Sequence, residues 1–201
     1  MGSPVRAADV SSVCRAMVAW NHRSTSSAMA VASRRWCAAS GSPRSARHLR
    51  EAVAVAEEAD LWFVAGIARH TLLTSAARAA ADPAAALAGF GGLLDHWHAV
   101  GAWTQLWIAM RALIETLSRL GRHREATILL AALAASPRAT QVFGADSERA
   151  AAVVHAARAA LGDRYDGYRA EGAVLGDAGA VALARRLTRP DLTRPDAAGS
   201  A

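Results

Sequence analysis

The tripeptide His96-Trp97-His98 is the first place where side-chain chemistry could concentrate, because imidazoles are common metal ligands. On a helix, residues two apart point about 200° away from one another, so these two cannot chelate one ion together. They read instead as solvated or locally bonded side chains. Gly89-Phe90-Gly91-Gly92 has the composition of a phosphate-cradling loop, but no strand precedes it and Leu94 stands where a third glycine would be needed. It falls inside a helix-periodic stretch, so close helix packing is its reading. Trp97, Trp103 and Trp107 could box a small molecule, yet their spacing is that of a helix core. Ser, His and Asp all occur, but neither a Gly-x-Ser-x-Gly elbow nor a His-Glu-x-x-His zinc motif does. No catalytic, cofactor-binding or metal-ligating residue is assigned, no cofactor is expected, and the chain reads as no enzyme.

All 23 basic residues are arginine. The absence of lysine excludes a Walker-A lysine, a Schiff-base lysine and a lysine general base. Cys14 and Cys37 are the only cysteines and form no Cys-x-x-Cys pair; with no secretory signal, a reducing cytoplasm is the expected compartment. No apolar run approaches the roughly 20 residues that cross a bilayer.

Charge is uneven. Residues 1–50 hold Arg6, Arg15, Arg23, Arg34, Arg35, Arg44, Arg47 and Arg50 against Asp9 alone, whereas the remaining residues carry a net balance of −1. The basic end is therefore the one electrostatic candidate for nucleic acid, its arginines neutralising phosphates. It is also Ser-rich and poor in acids, as transit peptides are, but Val10, Val13, Cys14, Met17 and Val18 follow helical spacing. Met29, Ala32, Trp36 and Ala39 resume that spacing after a break at Asn21 to Ser24. Residues 1–40 are thus expected to form a weak basic helical hairpin.

The elements that must position these residues follow from composition and period. Hydrophobic residues make up 53% of the 201 but are dominated by Ala, and aromatics are few, which favours an all-α chain of closely packed helices. Gly41-Ser42-Pro43, Ala81-Asp82-Pro83 and Gly121-Arg122-His123 recur every 40 residues, each opening a helix. The columns Ala52/Gly92/Ala132 and Val53/Leu93/Leu133 keep the same register. A period of that size marks helix pairs stacked in an array.

Ser42 and Asp82 read as N-caps, with Pro43 and Pro83 in the first turn. Helices are expected near 45–59 and 61–80, the second turning Leu61, Val64, Ile67, Ala68 and Leu72 inward. A middle hairpin is expected over 82–99 and 102–120, broken at Gly101 and ended by Gly121. A helix over 123–136 follows. Pro137 and Gly144 interrupt the chain before Asp146 caps a helix that stops at Gly162. Shorter helices are expected at about 164–174 and 177–187, held by Tyr165, Tyr168, Leu175, Val181 and Leu183. The repeated Thr-Arg-Pro-Asp of the tail, 188–201, predicts disorder.

The run Ala102-Trp103-Thr104-Gln105-Leu106-Trp107, with Ala109 to Leu113 and Leu117-Ser118-Arg119-Leu120-Gly121, resembles a known region. It is similar to the C-terminal tetratricopeptide-like part of large actinobacterial ATP-binding transcriptional regulators. These are the LuxR-type, bacterial-transcriptional-activation-domain and adenylate-cyclase-associated members of the signal-transduction ATPase class. Ala132 to Pro137, Val142-Phe143-Gly144-Ala145-Asp146, Leu161 to Tyr165 and Ala180 to Ala184 fit that region's terminal pattern.

The resemblance covers about 41–187 and implies a tetratricopeptide-like α-solenoid of stacked antiparallel helix hairpins. In its relatives a P-loop ATPase module precedes the repeats, and a DNA-binding or cyclase domain lies at one end. A chain lacking both is expected to act as the sensor or scaffold part of such a regulator, binding a protein or peptide partner such as an ATPase or DNA-binding subunit. The weaker match of 1–40 fits a truncated or mis-assigned start, and self-association or capture of a helical partner is expected there. Specific nucleic-acid binding and membrane insertion are not expected; the alternative function is nucleic-acid binding through the first fifty residues.

Overall fold

The computed structural model describes residues 43–79, 83–140 and 144–189. The expected hairpin over 1–40, the Ser42 and Asp82 caps, the Gln141 to Phe143 stretch and all but the first two residues of the 188–201 tail lie outside them. Every element among the described residues is helical, and no strand occurs there. In chain order these are α1 (Pro43–Glu58), α2 (Trp62–Ala79), α3 (Pro83–Ala99), α4 (Trp103–Arg119), α5 (His123–Ala135) and α6 (Ala145–Leu161). A 3-10 turn (Gly162–Arg164), α7 (Tyr165–Ala173) and α8 (Gly176–Leu187) complete them. No helix among the described residues is long and apolar enough to cross a membrane.

The expected bounds are met within about two residues because the punctuation is chemical. Pro43 and Pro83 occupy the first helical position, where a missing N–H costs nothing. Gly101, Gly121, Gly144 and Gly162 take positive φ at the breaks. One boundary differs in mechanism. Gly144, not Asp146, is the N-cap of α6, with no side-chain cap; Asp146 lies in the first turn, where its charge suits the helix N-terminus, and its carboxylate pairs with Arg149.

The chain divides into two compact units, Met1–Ser75 and Ala76–Ala201. In the first, α1 buries Leu49, Ala52 and Ala56 at spacings of three and four. The corner into α2 is set by Leu61 N donating to Ala56 O (2.7 Å), with Asp60 at φ 55°. Glu57 accepts from Arg69 across that corner. The inward stripe expected of α2 is buried at Ala68 and half-buried at Leu61, Val64, Ile67 and Leu72.

The second unit contains the last turn of α2 and everything from α3 onward. Helices α3 and α4 pack as the expected hairpin, burying Phe90, Leu93, Leu94 and Trp97 against Leu106, Trp107, Met110, Leu113 and Leu117. Helix α5 is the hub, with α4, α6, α7 and α8 all packed on it. Its contact with α7 is so close that a Cβ on Gly172 would lie 2.1 Å from Ile128 O.

The 40-residue register survives as helix starts at Pro43, Pro83 and His123. It does not survive as a continuous column of small buried residues. Ala52 and Ala132 are buried, but Gly92 is exposed, with nothing near where its Cβ would be. The tight position is Gly91, whose Cβ would meet Thr188 Oγ1 at 2.9 Å, because α8 returns onto α3. Ala180, Val181, Ala184 and Leu187 form the buried stripe of α8, and Arg185 pairs with Asp95 of α3 at 2.5 Å.

Candidate functional site

The residues singled out in the sequence separate in space. His96 is half-buried with its ring against Trp97 (centroids 4.8 Å apart). His98 is exposed, edge-on to Trp103 at 5.7 Å, with Nδ1 3.5 Å from Arg185 Nη2. The two imidazoles therefore serve different neighbours. Among the described residues no group of three or more His, Cys, Asp or Glu side chains is arranged to hold a metal ion.

Phe90 is fully buried, and the Gly89 to Gly92 run lies inside α3, where backbone N–H groups are committed to the helix. The three tryptophans do not make a box. Trp97 and Trp107 are fully buried, whereas Trp103, the first residue of α4, reaches the surface with the Arg138 guanidinium 4.5 Å from its ring centroid. Arg138 also pairs with Asp177 at 3.5 Å. That pair closes one side of a cleft of about 330 Å³ between Ala135–Arg138 and the Gly176–Asp177 turn. Its walls are Ala132, Ala135, Pro137, Ala173 and Gly176, with Ser136, Arg138 and Asp177 as the polar members.

The densest chemistry lies on the other side of α4. Arg111, Glu115 and Arg119 are four residues apart, so they run as a line along one side, turned away from the Leu106–Leu113–Leu117 stripe. Glu115 receives Arg78 as a fork, Nη2 at 2.9 Å and Nε at 3.2 and 3.3 Å. Such bidentate pairs are the stronger kind of ionic hydrogen bond. Arg149, near the start of α6, stands 3.8 Å from the same carboxylate and also bonds Asp146.

Arg119 donates to Ala77 O in the last turn of α2, where a cation suits the exposed carbonyls of a helix C-terminus. Arg111 donates to the carbonyl and hydroxyl of Thr140, and its Nε is buried without an acceptor. Burial pulls the Arg111 guanidinium below the usual arginine range, and the charge of Asp146 pushes partly back. Chemically the line is a row of guanidiniums around one carboxylate, an arrangement suited to binding anions.

The sequence reading gave none of these six residues a binding role: it named Asp146 as a helix cap and Arg111 and Arg119 only within the run that carries the resemblance. Arg111, Glu115 and Arg119 carried a signal, their spacing of four on the polar side of an assigned helix. Arg78 and Arg149 carried none for their tie to Glu115, which spans more than thirty residues of chain, whereas the Asp146–Arg149 pair is three residues apart. Compared with protein-family models, with curated proteins and with solved structures, the chain matches none.

Proposed function

We propose that the chain is a non-enzymatic helical-repeat module that binds a protein partner. In this reading it is a tetratricopeptide-like stack related to the sensor or scaffold part of actinobacterial transcriptional regulators, working in the cytoplasm beside a separate ATPase or DNA-binding subunit. The observation that carries it is the spacing of helix starts at Pro43, Pro83 and His123, with a second helix following the first two after a short turn and the third after the longer stretch 136–144. Helix pairs at a fixed period present side-chain surfaces in register, which is what stacked arrays use to bind other chains. The return of α8 onto α3 acts within this reading as a terminal cap that covers part of the stack.

Crosslinking in the native host, followed by quantitative mass spectrometry of the purified chain, tests the reading. An ATPase or helix-turn-helix subunit recovered at about one to one supports it. Recovery as a free monomer, or catalytic turnover by the purified chain, overturns it. A titration with labelled DNA at two salt concentrations addresses the alternative, since tight binding that weakens steeply with salt is the mark of phosphate neutralisation.

A further inference from the structure

We propose that the arginine line of α4 is the docking site for an acidic peptide segment of the partner, one carboxylate seated on Arg111 and a second on Arg119. This rests on the protein-interaction reading above and specifies the chemistry of the partner. Among the described residues, Arg78 and Arg149 have carboxylate partners, whereas Arg111 and Arg119 bond only neutral oxygens, those of Thr140 and Ala77. Four guanidiniums, Arg78, Arg111, Arg119 and Arg149, thus share the two carboxylates of Glu115 and Asp146, and neither carboxylate is hydrogen-bonded to Arg111 or Arg119. Arg111 in addition keeps a buried Nε–H without an acceptor, a costly arrangement for a half-buried cation that the charge of Asp146 offsets only in part. Its lowered proton affinity has the same origin, loss of water around the charge.

The spacing selects the kind of anion. Eight residues of helix place Arg111 and Arg119 about 12 Å apart, with the negative Glu115 between them. A nucleic-acid strand, with a charge about every 3.4 Å of its axis, would bring phosphates against Glu115 as well as against the arginines. An extended peptide rises about 3.3 Å per residue, so side chains four apart lie about 13 Å apart on one side. A Glu-x-x-x-Glu segment therefore matches both cations and leaves a neutral gap opposite Glu115. Arg149 on the neighbouring turn of α6 restrains that gap by holding Glu115 in place.

The test uses the full chain and a fluorescein-labelled Gly-Ser-Glu-Ala-Ser-Ala-Glu-Ser-Gly peptide, read by anisotropy at low salt. Arg111→Gln is expected to weaken binding about tenfold, the scale of one lost charge-assisted contact. Arg164→Gln, which removes the same charge from the exposed 3-10 turn, is expected to change it less than about twofold. Thermal melting without peptide is the folding control: Arg111→Gln should melt no lower than the parent chain, since it removes a desolvated charge. If it does fail to fold, Arg119→Gln carries the same expectation from an exposed position. Equal affinity of the parent and Arg111→Gln chains overturns the proposal, as does displacement of the peptide by a thymidine oligonucleotide of equal charge at lower concentration. A stoichiometric partner recovered from the host alongside either of those results removes this site while leaving the interaction reading standing. The supporting result is peptide binding that depends on Arg111, survives inorganic phosphate and fades with salt.

Discussion

Helices α4 and α6 are each 17 residues long and bury very different amounts of themselves. α4 buries Leu106, Trp107, Met110, Leu113, Ile114 and Leu117 with the small residues between them, while α6 buries only Val153 and Ala157. The difference is one of side-chain size more than of contact, since α6 packs on both α4 and α5. Its contact residues are mostly alanine, which removes little apolar area from water even when it touches a neighbour. α6 is a helix because alanine favours helix and because Gly144 and Gly162 bound it. α4 is held by the core it fills. Local helix preference and tertiary docking are therefore separate causes here, and the weakly docked helix is the one that supplies charges, Asp146 and Arg149, to the arginine line.

The largest effect that would sharpen this contrast is Trp107→Ala. Trp107 is fully exposed in none of its atoms' surroundings, with relative exposure of 0%, and its Nε1 finds no acceptor, so packing alone holds it. Its loss should cost about 3–5 kcal/mol, against about 1 kcal/mol for Val153→Ala in α6. Urea denaturation of both variants measures the pair, and similar values would erase the distinction between the two helices.

α7 docks by a third means, close backbone approach. A methyl on Gly172 would stand 2.1 Å from Ile128 O and 2.8 Å from the Ala131 side chain, and a backbone carbonyl inside a helix cannot step aside. Gly172→Ala should therefore cost about 2–3 kcal/mol as α7 is forced off α5. Gly167→Ala, five residues earlier with nothing within 4 Å of its Cβ, should gain about 0.5–1 kcal/mol from helix propensity. Matching signs for the two would show that α7 rests on its side chains rather than on its backbone.

These regions also mark where the sequence was readable. The α3–α4 hairpin was legible because Pro83, Gly101 and Gly121 punctuate it and its large apolar residues repeat at helical spacing. The surface position of Trp103 was not, because its partner Arg138 belongs to a turn beyond the next helix. The return of α8 onto α3 was hidden for the same reason, Arg185 and Asp95 being 90 residues apart. A period read from one chain favours neighbour-to-neighbour stacking and carries no information about a terminal helix that folds back. Of the arginine line, the α4 members were written in their spacing, whereas the loss of water around Arg111 and its unpartnered Nε appear only once burial is known.

Breaking the ionic tie between α4 and α6 should have a smaller effect than Trp107→Ala or Gly172→Ala. Glu115→Gln removes the carboxylate shared by Arg78 and Arg149, side chains that are 34% and 37% exposed. A loss of about 1 kcal/mol is expected at low salt, shrinking as salt screens the remaining charges. A loss independent of salt in the same denaturation series would mean that Glu115 acts through packing.

The most local effect, confined to α6, tests the comparison most directly. If α6 is held by propensity and α4 by burial, then weakening helix preference on the exposed side of α6 should loosen that helix alone. Ala152 is exposed there, and Ala152→Gly costs about 1 kcal/mol of helix stability without removing a packed group. Hydrogen exchange distinguishes local from global opening, because amides that open with one segment respond to that segment's stability and not to the whole. The α6 amides should exchange about fivefold faster, the factor that 1 kcal/mol implies, while those of α4 keep their rates. An equal rise in both would mean that α4 and α6 open as one cooperative unit, and that the alanine surface of α6 binds it to the hub as firmly as tryptophan and leucine bind α4.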